Sequence, residues 1–343
     1  MTSLDVFVLG HGTDIPRDPS NAEWPVSLRL YPAGTCTLAE FAKSPHAARL
    51  VDGDGELVAL VAGADRELLR SAAAQASCLG ESACSMAVER LDPRLSRSLD
   101  PTAGVMTMPG VLLAPRVAHG PVVFRSTKLR EIGPLRAVAE PVWDWAIRAA
   151  GAGESIAAWP MADSQASQIC RLPLLAPREP GPEGDWLREH LANFTFSKSG
   201  TRSSSNADET ARRAGFYQWH DFLSESHELS QSIEGQGENQ LGDYWHAIMH
   251  RREPDYGNAK YWFRRIGNQP IWRELRQYAD GILAECTVPQ AARWRERLTA
   301  ALKWDPFAFV DLCEECAADE MTELALAARR IQHAEMSMLV ATP

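Results

Sequence analysis

The stretch ELVALVAGADRELLRSAAAQASCLG, residues 56–80, decides the fold class. Val58, Leu60 and Val61 lie in a short apolar run ending at Asp65, the pattern of a strand buried in a sheet. From Arg66 the apolar residues recur at helical spacing, and Gly80 supplies a C-cap. The same grammar appears on either side. DVFVLG (5–10) is an apolar run closing on glycine, and PVVFRS (121–126) is a third strand candidate. EPVWDWAIRAAGAG (140–153) reads as helical from Val142 and stops at Gly151. Strands alternating with helices predict an α/β domain over residues 1–170, with a mostly parallel sheet covered on both faces.

Residues 171–207 change character. LPLLAPREPGPEG and SKSGTRSSSNAD are rich in Pro, Gly and Ser, with the short amphipathic piece DWLREHLANF between them. Such composition buries little apolar surface and predicts a linker with mobile parts. From residue 208 to 343 the periodicity is helical, with segments at about 208–233, 242–252, 257–267, 270–286, 288–303, 305–318 and 320–339. Pro254, Pro270, Pro289 and Pro306 stand at or near the breaks. Six of the 11 tryptophans lie there, so an all-α C-terminal domain has ample core material.

Composition narrows the function classes. At 343 residues the chain suits two domains. A net charge of -10 argues against general nucleic-acid binding, which needs cationic surface. The sequence has no apolar run of membrane-spanning length and no signal-peptide pattern at MTSLDVFVLGHGTD. Seven cysteines make no disulfide framework. A reducing cytoplasm is the expected compartment.

The segment HGPVVFRSTKLREIGPLRAVAEPVWDWAIRAA (119–150) carries Gly120, Pro121, Phe124, Arg125, Leu129, Ile132 and Gly133, then AEPVWDWAIRA. It resembles the latter part of family 2 glycosyltransferase domains, and the resemblance covers roughly residues 50–150. It implies a shortened nucleotide-diphospho-sugar-transferase-like sheet, a nucleotide-sugar ligand held near Arg125, and Mg²⁺ or Mn²⁺ at Asp65. That metal would stabilise the departing diphosphate, and Glu140 or Asp144 would be the base for the acceptor hydroxyl. The chain departs from the family pattern at both places. The Asp-x-Asp position reads Gly63-Ala64-Asp65, and the acidic motif reads Glu140-Pro141 with Asp144 four residues on. Without the resemblance, Asp65 caps a helix and Asp144 pairs with Arg148.

GDYWHAIMHRREPDYGNAKYWFRRIG (242–267) concentrates the remaining chemistry. His246 and His250 are i,i+4, the spacing two ligands to one metal need on a helix. His220 and His227 are i,i+7, so four of the nine histidines are candidates for one Zn or Fe site, with Glu225, Glu228, Glu253 or Asp255 as a further ligand or base. His246 and His250 are also candidate catalytic residues, and histidines tied up in ordinary hydrogen bonds are the competing reading. Arg251, Arg252, Tyr256, Asn258 and Lys260 form a candidate anion site, with Asn258 placed to cap a helix. The competing reading for the arginines is surface ion pairing. The block resembles the pattern YWHAIxHRREPDxxNxKYWFRR of uncharacterised bacterial and fungal proteins, a resemblance that implies no activity. Cys313-x-x-Cys316 lies in a helical pattern without a second cysteine pair and reads as core.

Three functions follow as expectations: sugar transfer from a nucleotide donor; a helical metal- or anion-binding enzyme or ligand-binding module; and a non-catalytic interaction protein on a degenerate transferase scaffold.

Overall fold

The computed structural model describes residues 3–9, 27–34, 37–52, 55–62, 66–88, 105–106, 110–113, 120–160, 172–195, 205–299 and 303–341. They fall into two compact units. One comprises the residues up to 160 together with Glu183–His190, and the other comprises 172–182 and everything from Leu191 onward.

The first unit is a seven-stranded sheet. Its strands are β1 (Ser3–Leu9), β2 (Ser27–Gly34), β3 (Leu57–Val61), β4 (Cys84–Val88), β5 (Val105–Met106), β6 (Val122–Arg125) and β7 (Ile156–Pro160), in the order β2-β1-β3-β6-β4-β7-β5. β1 and β3 are almost wholly buried, as their unbroken apolar runs require. Alternation decides which helix each face meets. Leu4, Val6, Val8, Leu57, Ala59 and Val61 pack with Leu69, Ala72 and Ala73 of α3 (Arg66–Cys78). In between, Phe7 meets Phe41 of α1 (Leu38–Lys43). Three further helices belong to this unit: α2 (Pro45–Asp52), α4 (Gly110–Leu113) and α5 (Ser126–Ile132). On α6 (Pro141–Gly151), Trp145 sits edge-on to Phe124 of β6.

The sheet is mixed, not mostly parallel. β6 runs antiparallel to both β3 and β4, and β5 antiparallel to β7. An apolar run such as VVFR is buried whichever way it points, so strand direction leaves no periodic trace.

The second unit is helical: α8 (Asn206–Trp219), α9 (Leu223–Ser232), α10 (Leu241–Arg252), α11 (Tyr256–Arg265), α12 (Trp272–Glu285), α13 (Pro289–Thr299), α14 (Pro306–Cys316) and α15 (Glu323–Ala341) follow α7 (Asp185–Asn193), whose last residues belong here. Two cores hold it. Leu275, Tyr278, Trp294, Leu298, Phe309 and Ile331 form one; Tyr244, Trp245, Ile248, Trp262, Phe263 and Met336 form the other. Cys313 and Cys316 are buried thiols of α14, and burial pushes each up to about 12. Gly215 is required where α8 crosses α10, because a Cβ there would meet the Trp245 ring at 2.6 Å.

Two expectations are corrected here. The periodicity at 208–233 predicts one helix, but α8 ends at Trp219 and the chain reverses at Asp221 in left-handed backbone (φ 66°) before α9 begins. Residues 172–195 are also not a free linker. Leu175 is 1% exposed in the core. Glu320 accepts the N–H groups of Leu175 (2.7 Å) and Ala176 (3.0 Å), and Gln332 donates to the Leu174 carbonyl (2.9 Å). Pro-rich composition disfavours a helix over residues 172–181; it does not prevent Glu320, in the turn before α15, and Gln332 on α15 from holding that segment. Of the other residues of the expected linker, 171 and 196–204 lie outside the described residues, and 205–207 are the N-cap and first residues of α8.

Candidate functional site

α10 is buried over its whole length, Leu241 to Arg252, so its polar residues must find partners inside the protein. Adjacent helix positions point about 100° apart, and the chemistry therefore divides by face. His246 and His250 share one face. Arg251 turns to a second, where its guanidinium reaches Glu335 (2.5 Å) and lies 4.5 Å over the Phe309 ring. Arg252 turns to a third and donates to the Gln218 carbonyl (2.6 Å) and to Asp221 (2.5 Å), clamping the chain reversal.

The histidine face is where a site exists. His227 of α9 meets both rings, with centroids 4.8 Å from His246 and 5.4 Å from His250; His246 and His250 are stacked at 4.8 Å. One ring nitrogen of each lies within 4.8 Å of the other two. Trp262 of α11 stacks on His246 at 3.9 Å and fixes its plane. His246 is 1% exposed, and neither of its ring nitrogens has a hydrogen-bond partner among the described residues. The second neighbour is differently placed. Glu253 accepts from His250 Nδ1 (3.0 Å), which leaves a lone pair on Nε2, and the Asn258 amide donates to that atom (3.0 Å). His227, Ser224, Met249, Arg252, Glu253 and Pro254 help to line a cavity of about 350 Å³ beside the cluster.

Electrostatics keep two of these imidazoles neutral. Burial, then the neighbouring His250 and His227, push His246 down to about 3. Burial also lowers His250, with Glu253 opposing it. The linkage sign is that of a depressed base. The unfolded chain, with His246 near 6.5, binds the proton that the folded chain refuses, so stability is full above pH 6.5 and is lost as pH falls towards 3. For chelator-treated protein the expected loss from His246 alone is about 1.5 kcal/mol between pH 6.5 and 5. Urea midpoints at the two pH values measure it, and His246→Phe should flatten the dependence.

His220 is not part of the cluster. It is the C-cap of α8, and the reversal at Asp221 takes it off the helix that carries His227, so the i,i+7 relation never becomes a shared face. The candidate anion site also disperses. Arg251 and Arg252 are committed as described, and Lys260 pairs with Asp311 (2.5 Å). Tyr256 is half-buried against the aromatic core, and burial pushes its hydroxyl up to about 12. Asp255, not Asn258, caps α11 by accepting the Asn258 N–H. Asn258 and Glu253 reach His250; Trp262 belongs to the site as well and carries no motif that announces it.

In the α/β unit, Asp65 lies outside the described residues. With a single carboxylate after β3, the donor set there is poorer than the metal implied by the resemblance calls for. Asp144 is fully buried, accepting from Arg148 (3.0 Å) and bonded to His190 of α7 (2.9 Å). Burial raises its carboxyl, and the His190 and Arg148 contacts outweigh that and hold it below the usual range. A carboxylate so committed is a poor base; Glu140 is half-buried at the N-cap of α6. Arg125, the last residue of β6, donates to the Gly80 carbonyl. The REIGP part of the motif has a structural cause. Trp145 donates to the Gly133 carbonyl, Arg148 donates to those of Ile132 and Pro134, and Gly133 adopts φ 94°.

No family model and no curated protein matches the chain. Among solved structures, residues 1–349 of S. aureus TarS in complex with UDP-GlcNAc give a TM-score of 0.33 at 11% identity, covering 78% of this chain and 93% of that one. The same TarS segment solved without that ligand in its description gives 0.29 at 12% identity with the same coverage. Scores of this size do not establish a shared fold, and the likeness assigns no ligand to this chain. No helix among the described residues is long and apolar enough to cross a membrane.

Proposed function

We propose that the helical unit is a metal-binding module in which His227, His246 and His250 hold one borderline transition-metal ion, zinc or iron. The observation that carries this reading is His246. A buried imidazole with both nitrogens unpartnered is costly, and a ring nitrogen aimed at two other imidazoles gains its missing partner when an ion enters. All-imidazole donor sets suit Zn, Fe, Cu and Ni, not Mg or Ca. Ligation needs nitrogens about 3.3 Å apart at Zn–N distances near 2.05 Å, so the rings contract from their present spacing by side-chain rotations, and the Asn258 amide gives up His250 Nε2 to the ion. Three protein ligands leave a coordination position for a water or ligand, the arrangement of binding and catalytic centres. Glu253 would then act as the carboxylate that orients a metal-bound histidine.

The experiment is a titration of chelator-treated protein with Zn²⁺, followed by calorimetry and by Trp262 fluorescence. One equivalent should bind, and His246→Ala should abolish binding while leaving the far-ultraviolet dichroism unchanged. Unaltered binding in that variant, or none in the parent, ends this reading.

A second reading concerns the α/β unit: sugar transfer from a nucleotide donor, with Glu140 as base. It is supported by strand order. The sheet progresses in opposite directions from β1, to β2 on one side and β3 on the other, and ligands of open α/β sheets favour the carboxyl ends at such a switch point. Asp65 follows β3 in the chain. Mn²⁺-dependent binding of a nucleoside diphosphate sugar, lost in Asp65→Ala, is the expected result; a calorimetric screen of such donors with no heat would remove it.

A further inference from the structure

The helical unit has a second hollow whose chemistry differs from the histidine site. It has a volume of about 620 Å³ and is walled by Phe263, Trp272, Trp304 and Phe307, with Arg264, Arg297 and Lys303 around it. Three cations about one concavity are a concentration against the grain of a protein of net charge -10. One carboxylate, Asp305, also lines the hollow, so cations outnumber acids there three to one, and the acids close by are engaged. Asp305 caps α14 by accepting the N–H groups of Phe307 (2.9 Å) and Ala308 (3.0 Å), and Asp311 takes Arg297 and Lys260. Among the described residues Arg264 and Lys303 have no carboxylate partner, and both are exposed. The Arg264 guanidinium already lies 5.7 Å over the Phe307 ring.

The walls are rigid. Trp272 donates its indole N–H to the Tyr244 hydroxyl (2.9 Å), which in turn donates to Glu335 (2.9 Å), so this ring is tied into the buried polar core. Trp304 is 4% exposed, rests on Phe309 at 5.2 Å, and has an indole N–H without an acceptor among the described residues. Clefts of this size, mostly apolar with a few convergent charges, are the usual form of small-molecule sites. Fixed aromatic faces select a flat ring, and guanidinium and ammonium groups select phosphate or carboxylate.

We infer that this hollow binds an organic anion built from a planar aromatic ring and a phosphate or carboxylate group. The ring stacks against Trp272 and Phe307, and the anionic group meets Arg264 and Lys303. The site is separate from the histidine cluster and needs no metal.

The test is tryptophan fluorescence and calorimetry on the full chain with four probes: adenosine 5′-monophosphate, 1-naphthoate, adenosine and inorganic phosphate. At least one of the two ring-bearing anions should bind; which one tells a phosphate ligand from a carboxylate. Adenosine and inorganic phosphate should each bind at least ten-fold more weakly. The doubly substituted Arg264→Ala/Lys303→Ala chain, altered only at exposed positions, should lose at least ten-fold in affinity, and His246→Ala should lose none. Binding of phosphate as tightly as the ring-bearing anions, indifference to the double substitution, or no binding by any probe overturns the inference.

Discussion

Arg251→Met is expected to destabilise the helical unit by about 3–5 kcal/mol, the cost of leaving a buried charge without its partner. Arg251 and Glu335 are both completely buried, with 2.5 Å between nitrogen and oxygen. Removing the guanidinium strands the Glu335 carboxylate with the Tyr244 hydroxyl as its remaining close donor. Against a typical total of about 5–15 kcal/mol this is a severe loss, amounting to roughly 2–4 °C in Tm per kcal/mol for a unit of this size. The pair itself is not the source of stability. Arg251→Met/Glu335→Gln removes both charges, keeps a side-chain oxygen to accept from the Tyr244 hydroxyl, and should recover most of the loss. Near-ultraviolet dichroism through a urea titration checks both variants. A double variant no better than the single would mean that the charges hold α10 to α15 in a way neutral side chains cannot replace.

The second large effect is metal linkage. If the three imidazoles take up Zn²⁺ only when folded, free metal at a hundred times its dissociation constant should stabilise the helical unit by about 2.7 kcal/mol. Because burial already keeps His246 and His250 unprotonated in the folded protein, protons compete little for these two ligands, and most of the gain should persist at pH 5.5. Scanning calorimetry with and without Zn²⁺, at pH 7.5 and 5.5, measures it. His227→Asn tests the half-buried ligand with the least risk to packing and should remove most of the shift. A rise in Tm that survives this substitution would place the ion elsewhere.

What the sequence revealed and what it hid follow from range. The β3–α3 pattern is local, and so are the i,i+4 histidines; both are readable because helix and strand periods fix which side chains share a face. His227 is also correctly drawn to the cluster, but His220 is not, because a single left-handed residue, Asp221, breaks a periodic pattern without a glycine or proline to mark it. The arginines misled for a related reason. HRR looks like one basic patch in the sequence, yet successive positions on a buried helix serve separate partners. Those partners, Glu335 and Asp221, lie far from them in the chain, and nothing in EMSMLV or HDFLSESH advertises the pairing. His190 is the same kind of omission: its contact with Asp144 spans 46 residues, and the Pro-rich composition around it pointed to a linker. Direction in the sheet was hidden too, since β6 is equally apolar read either way.

The complete burial of α10 has a kinetic consequence. Amide protons of residues 246–252 are enclosed on every side, so their exchange with deuterated solvent should proceed through wholesale opening of the helical bundle and rank among the slowest in the chain. An ion would arrive by way of the half-buried His227 and draw the rings together by side-chain rotation alone, so its uptake should need no opening of the bundle, whereas its escape during denaturation should coincide with loss of the bundle itself.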